Sequence, residues 1–218
     1  MKSKRLPGKA LKLIKNKPII LICYKRLTNR GRKAVVATSN SKTDNKLINV
    51  LKKNKIDYFR GSEKNVLSRY LEIAKKYKPN DYFVRATADN ILPDGLLVDI
   101  LVKEIKKRKL NYLQINKKAH NLPKGFSLEV FKVRELIRIS KLKLNKNHLE
   151  HVTLKMYEKK SKYEKIILKK LIQKKNLSKK SVSIDTKKDF LFMKNFFKNK
   201  RQLFKTSSLK LIKSLESI

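Results

Sequence analysis

Short apolar runs alternate with longer amphipathic stretches along this chain, the rhythm of a mainly parallel sheet with helices on both faces. Residues 33–38 give the clearest strand signal, a β-branched run ending in small polar side chains. Residues 43–53 then carry Leu47, Ile48, Val50 and Leu51 on one helical face, with Ser41 or Thr43 as the cap. A short strand at 57–59 ends at Arg60, Gly61 and Ser62, and a helix at 65–77 runs through Val66, Leu67, Tyr70, Leu71, Ile73 and Ala74. Residues 81–86 form another strand and 94–107 a long helix. Strands follow at 112–115 and 126–131, the second with period-two alternation, then helices at 134–141 and 147–159. The pattern closes with strands at 163–168 and 182–185 and an amphipathic helix at 187–198. Residues 1–199 therefore read as one domain, and 200–218 as a basic tail with moderate helical pattern.

A chain of 218 residues with 40% hydrophobic content is long enough for one α/β domain with a full core. No Pro/Gly/Ser-rich linker and no internal repeat divides it. Its longest apolar runs, such as 18–23 and 100–102, are far too short for a membrane span. The first residues are basic but lack the apolar stretch of a secretory signal. Cys23 stands alone, which excludes an intramolecular disulfide framework and a cysteine-based zinc site, and it reads as a small buried apolar residue. A cytosolic location is the expectation.

Charge changes the picture more. Fifty-eight Lys+Arg against 17 Asp+Glu give a formal net charge of +41, which favours anionic ligands. Phosphate-backbone binding is one reading of such a balance. The lysines, however, fall in almost every segment rather than in one stripe, and no base-stacking aromatic pattern is interleaved with them. A solvated lysine-rich surface accounts for that distribution, so no specific nucleic acid is expected.

In open α/β sheets ligands bind beyond the carboxyl ends of the strands. Thr38 and Ser39 follow one strand, Arg60–Ser62 another, Asp89 a third and Asp185 a fourth. Two carboxylates at one rim, in a chain so poor in acids, suit a Mg²⁺ ion shared with substrate phosphates; spacing alone favours the other reading, that each caps the next helix. Near the start, Ser3, Lys4, Arg5 and Lys9 surround a Pro7-Gly8 turn without a GxxxxGK[ST] pattern, so this is not a Walker-type loop. Its cations suit a triphosphate and the charge that develops on departing pyrophosphate.

Seven blocks taken in order carry a resemblance. They are residues 3–9; Val35-Val36-Ala37-Thr38; Arg60-Gly61-Ser62 with residues 66–70; Val84 to Asp89; Gly125 to Phe131; Glu150-His151-Val152-Thr153; and Ile184 to Asp189. Over about residues 3–195 the chain resembles the CTP-dependent sugar cytidylyltransferases that act on deoxyoctulosonate, neuraminate-type sugars and spore-coat polysaccharide precursors, nearest the last of these branches. The resemblance implies a Rossmann-like nucleotidyltransferase domain, a three-layer sandwich, with CTP, an acidic sugar and Mg²⁺ as its ligands and a homodimer as its assembly. It implies that Arg5 and Lys9 hold the triphosphate and that Asp89 is the central metal ligand, with Asp185 the second. Ser3, Lys4, Thr38, Ser39, Arg60, Gly61, Ser62 and Arg69 would line the nucleotide, with Arg85 orienting the Asp89 loop or meeting a phosphate. Gly125, Glu129 and His151 would form the sugar side.

Some positions depart from the family. Its members open with a buried apolar strand ahead of the basic loop, and the sequence in hand begins after it. The expectation is an upstream start, with roughly 8–12 mostly apolar residues ahead of Met1. Ala88 replaces a glycine, Asn90-Ile91 replace Cys-Pro, Asn65 replaces an aspartate and Ser127 stands where an aspartate is common. Two further readings stay open: a nucleotidyltransferase fold kept for binding without turnover, and a basic RNA-binding protein supported by charge alone.

Overall fold

The computed structural model describes residues 5–115, 120–158, 163–166, 168, 171–200 and 202–217. The chain enters through a tight hairpin, β1 (Leu13–Ile14) and β2 (Lys17–Pro18), whose two turn residues, Lys15 and Asn16, have left-handed backbone at φ 48° and 57°. Helix α1 (Ile19–Leu27) follows directly. Strands β3 (Val36–Ser39) and β4 (Tyr58–Gly61) then pair in parallel, linked through α2 (Asn45–Lys53).

Helix α3 (Val66–Ala74) leads to a second sheet built from β5 (Tyr82–Arg85), β6 (Tyr112–Ile115), β7 (Glu129–Lys132) and β8 (Tyr163–Ile166). Its order is β5-β7-β6-β8. Strand β7 is antiparallel to β5 and β6, while β8 is parallel to β6. The sheet is therefore mixed where a mainly parallel one was expected. The expected strand at 182–185 also forms no ladder. Ser181 makes an isolated bridge to Lys124, and the Ile184 N–H donates to the Asp89 carbonyl.

Alternation along these strands builds two cores. Leu113 and Val130 point to one face, against α4 (Gly95–Lys107) and α8 (Lys187–Lys198) through Leu97, Leu101 and Phe197. Tyr112 and Phe131 point to the other, against α3 and α5 (Val133–Ser140) through Leu67, Leu136 and Ile139. The helix expected over 147–159 is two short ones, α6 (Lys146–Glu150) and α7 (Leu154–Tyr157), broken at His151–Thr153.

The segment expected to be a basic tail joins the core instead. Leu203, Leu211, Ile212 and Leu215 are buried, the last three on or next to α9 (Ser208–Lys213). Asp94 ties α9 down. Its carboxylate accepts from the Ser208 N–H at 3.0 Å and hydroxyl at 2.7 Å while also capping α4 through the Leu97 N–H. Arg26 completes the clamp: fully buried, it donates to the carbonyls of Leu203 (2.6 Å), Thr206 (3.0 Å) and Leu92 (2.7 Å). Burial lowers its pKa to about 10, which still leaves it charged at neutral pH. Arg26→Met removes the donors from three carbonyls at once, two of them in buried bonds. The expected loss is about 3 kcal/mol, on the order of 10 °C in the thermal midpoint followed by circular dichroism.

Candidate active site

The basic turn near the start is held in place by its own residues. Leu6 is buried in the main core, and Gly8 adopts left-handed φ of 66° so that the chain can close onto the 3₁₀ turn Lys9–Leu11. This aims Lys9 inward. Its Nζ lies 2.6 Å from Asp89 Oδ2 and 3.4 Å from Asp185 Oδ1, although these aspartates stand 80 and 176 residues away in sequence. Arg5 Nη2 reaches Asp185 Oδ1 at 3.7 Å and Lys124 Nζ reaches Asp185 Oδ2 at 3.4 Å. The Ile184-to-Asp89 backbone bond, 3.0 Å, fastens the two acidic loops together.

Neither aspartate is a helix cap. The cap of α4 is Asp94 and that of α8 is Thr186, so Asp89 and Asp185 both turn toward the cations. Burial opposes the charge on Asp185, but the Lys9 and Lys124 ammonium groups outweigh it and hold its carboxyl below the usual range. Behind this site Cys23 is pushed up to about 12, first by burial and then by the charge of Asp89, and stays a neutral thiol.

The arrangement suits a divalent cation. The Lys9 ammonium lies between the two carboxylates and shows that they face one cationic position. Among the described residues no group of three or more His, Cys, Asp or Glu converges. A Mg²⁺ ion there would complete its oxygen shell from phosphates and water, as that ion prefers.

A second cluster lies past the carboxyl ends of β3 and β4. The hydroxyls of Thr38 and Ser39, and the Ser39 N–H, all donate to Asp44 Oδ2 at 2.6, 2.7 and 3.1 Å. Burial opposes the charge on Asp44, yet these bonds help hold its carboxyl well below the ordinary range. Arg60 donates to the carbonyls of Ser39 and Ser41, and Arg69 to those of Ser62 and Glu63. A Cβ at Gly61 would sit 3.0 Å from the Phe59 ring and 3.1 Å from Arg69 Cγ, so a larger residue there would press on both side chains. Thr38, Ser39, Arg60, Gly61, Ser62 and Arg69 thus come together as one braced rim. Ser3 and Lys4 lie outside the described residues.

Arg85 and Glu129 meet each other. They are register partners across β5 and β7, and Arg85 Nη1 lies 2.5 Å from Glu129 Oε2. Tyr112 and Thr153 hydroxyls donate to the other oxygen, Oε1, at 2.8 and 2.7 Å. Gly125, at φ 89°, packs so closely on Ser183 that a Cβ would meet its backbone N at 2.4 Å. His151 is exposed at the end of α6. The engaged histidine nearby is His148, buried and 2.7 Å from Glu158. Lys124 and Asp44 were missed in the sequence: one is a lysine among many, the other reads as an ordinary residue entering α2.

A family model described as "Cytidylyltransferase" matches residues 1–217. The chain belongs to the cytidylyltransferase family. It is 32% identical over 190 residues to an uncharacterized protein of Methanocaldococcus jannaschii, covering 86% of this chain and 76% of that one. It is 29% identical over 204 residues to the spore coat polysaccharide biosynthesis protein SpsF of Bacillus subtilis, covering 90% and 82%. A cytidylyltransferase from Leptospira borgpetersenii serovar Hardjo-bovis superposes with a TM-score of 0.86 at 25% identity, over 100% of this chain and 90% of that one. These matches establish the α/β nucleotidyltransferase fold and nucleotidyltransferase class for this cytidylyltransferase.

Proposed function

We propose that this cytidylyltransferase moves CMP from CTP onto an acidic sugar during the synthesis of a surface polysaccharide or glycan. The observation that supports it best is the convergence of Asp89 and Asp185 on Lys9, with Arg5 and Lys124 beside them. A polyphosphate needs that pairing of cations with metal-holding carboxylates, and little covalent participation by the protein.

In this reading a sugar hydroxyl oxygen attacks the α-phosphorus, a new P–O bond forms and the bond to the bridging α–β oxygen breaks. Pyrophosphate leaves with that electron pair, and the hydroxyl proton passes to water. Arg5, Lys9 and Lys124 bind the triphosphate and balance the charge gathering on the leaving group. Asp89 and Asp185 would hold Mg²⁺, which supplies charge neutralisation and orientation of the phosphates. The rim made by Thr38, Ser39, Arg60, Gly61, Ser62 and Arg69 positions the nucleoside, with Asp44 bracing it from behind. On the acceptor side, Arg85 balances the charge of Glu129, so that carboxylate does not repel an acidic sugar. The similarity to a spore coat polysaccharide biosynthesis protein is what supports a glycan product.

Pyrophosphate release tests the reading. Purified protein with Mg²⁺ is expected to release it from CTP, but not from ATP, GTP or UTP, and only when a sugar acid such as 3-deoxyoctulosonate or N-acetylneuraminate is present. Chelation by EDTA is expected to stop turnover and added Mg²⁺ to restore it. CTP binding without release across a panel of sugar acids and neutral sugars would instead favour a binding role.

A further inference from the structure

The two most exposed large apolar side chains among the described residues are Leu191, at 52%, and Leu13, at 50%. Both belong to one face. Strand β1 runs beside α8, tied to it at two points. Lys12 Nζ lies 5.6 Å from the Phe190 ring centroid near the start of the helix, and Lys15 Nζ donates to the Lys200 carbonyl, 3.1 Å away, just past its end. Between these ties Ile14 turns inward and joins the core with Met193, Phe196 and Phe197. Strand alternation then turns Leu13 outward, and helical spacing puts Leu191 on the side of α8 opposite those three. A single exposed leucine is ordinary; two on adjoining elements make an apolar spot.

A small basic cavity adjoins it. About 400 Å³ in volume, it lies between the hairpin and residues 202–205, with Leu203 and Phe204 as its apolar lining and Lys15, Lys17 and Lys205 around them. Lys25 adds an ammonium 5.5 Å from the Phe204 ring. On α8, the exposed Lys187, Lys188 and Lys194 flank Leu191 one helical turn to either side. No free carboxylate answers these charges. Asp189 is the one acid in residues 12–18 and 187–205, and its Oδ2 accepts from the N–H groups of Asp185 and Thr186 and from the Thr186 hydroxyl.

Charge decides the occupant. A second copy would set lysines against lysines. A nucleic acid suits the charge but not the leucines, and the rings here suit base stacking poorly. Phe190, Phe196 and Phe204 are half-buried or buried, and each already carries a lysine ammonium. An anionic bilayer meets both parts of the face: its headgroups pair with lysines while outward leucines enter the acyl boundary. We propose that the β1–β2 hairpin, α8 and residues 202–205 dock this protein on an anionic lipid bilayer, with Leu13 and Leu191 inserted and Lys15, Lys17 and Lys205 gripping lipid phosphates. The Lys9–Leu11 turn runs into this hairpin and Asp185 stands just ahead of α8, so docking holds both sides of the active site near the membrane surface. The face stands on its own residues, whichever group the enzyme transfers.

Vesicle co-sedimentation of the 218-residue chain tests this. Binding is expected to vesicles of equal parts phosphatidylglycerol and phosphatidylcholine, and not to phosphatidylcholine alone. Lys15→Gln/Lys17→Gln/Lys205→Gln is expected to lower the partition coefficient about thirtyfold or more. Lys52→Gln/Lys53→Gln/Lys55→Gln removes the same charge at the carboxyl end of α2 and should lower it less than about threefold. Leu13→Ser/Leu191→Ser leaves the charge unchanged and should lower it about tenfold. Because the sequence has no tryptophan, Leu191→Trp supplies a single fluorophore, whose emission is expected to shift to the blue on anionic vesicles. Leu142→Trp, at an exposed leucine elsewhere, should not shift. Circular dichroism melts check that each variant is folded, and the tryptophan pair, which keeps every lysine, decides the matter if a lysine variant is not. Equal losses from the two lysine triples would make the binding a matter of net charge and overturn the proposal. So would an unshifted Leu191→Trp spectrum, or capture of RNA without binding to anionic vesicles.

Discussion

Asp89→Asn is expected to lower the kcat for pyrophosphate release about a thousandfold, close to 4 kcal/mol of lost transition-state stabilisation. The substitution keeps the size of the side chain and removes its charge. Asp89 makes the shorter of the two contacts to Lys9, at 2.6 Å against 3.4 Å for Asp185, so it is the stronger anchor of the site. In the proposed reaction, one carboxylate would then be left for Mg²⁺ beside the three cations. The side chain is 20% exposed, and its partner Lys9 keeps Asp185, so the fold should survive with a thermal midpoint within a few degrees of the parent. Initial rates with saturating CTP and sugar acid, set beside a melting curve, separate the two effects. Turnover within tenfold of the parent would remove Asp89 from the centre of the reaction.

Much of this site was legible because its residues fall at fixed places relative to strands. Asp89 follows β5 and Asp185 precedes α8 in the pattern of apolar and polar positions, and the structure puts both against Lys9. Spacing alone favoured helix caps, and the structure overturns that reading. The answer depends on which nearby side chain wins the cap, and Asp94 and Thr186 win it. Pairing direction was less legible. Residues 129–132 alternate like any half-buried strand, and nothing local to them says that they run against β5 and β6. The run at 18–23 is apolar on every side because α1 packs between two cores, so it carries no clean helical stripe. The C-terminal segment was misread for a related reason. Lysines punctuate it, while its few apolar residues, Leu203, Leu211, Ile212 and Leu215, are the ones that dock. Arg85 and Glu129 show the opposite limit: both were picked out as ligand contacts, and their register across the sheet pairs them with each other.

Lys9→Met tests the other half of the site. Lys9 is the one described side chain that contacts both acidic residues, and its half-buried position is set by Leu6 and the Gly8 turn. Methionine keeps the length and apolar stem, so the turn stays packed while the charge is lost. The kcat is expected to fall about a hundred- to a thousandfold, the range for removing one charge-stabilising donor. The KM for CTP should rise far less, because Arg5 and Lys124 still attract the triphosphate while charge on departing pyrophosphate develops only in the transition state. Lys9→Arg separates charge from shape. It restores the positive charge but spreads it over a planar fork, so partial recovery of kcat is expected. The melting midpoint should change little, since an ion pair with side chains 17–24% exposed adds about 1 kcal/mol at most. A Lys9→Met protein with the parental kcat and only a raised KM would make Lys9 a ground-state phosphate contact, and the leaving-group role would then fall to Arg5 and Lys124.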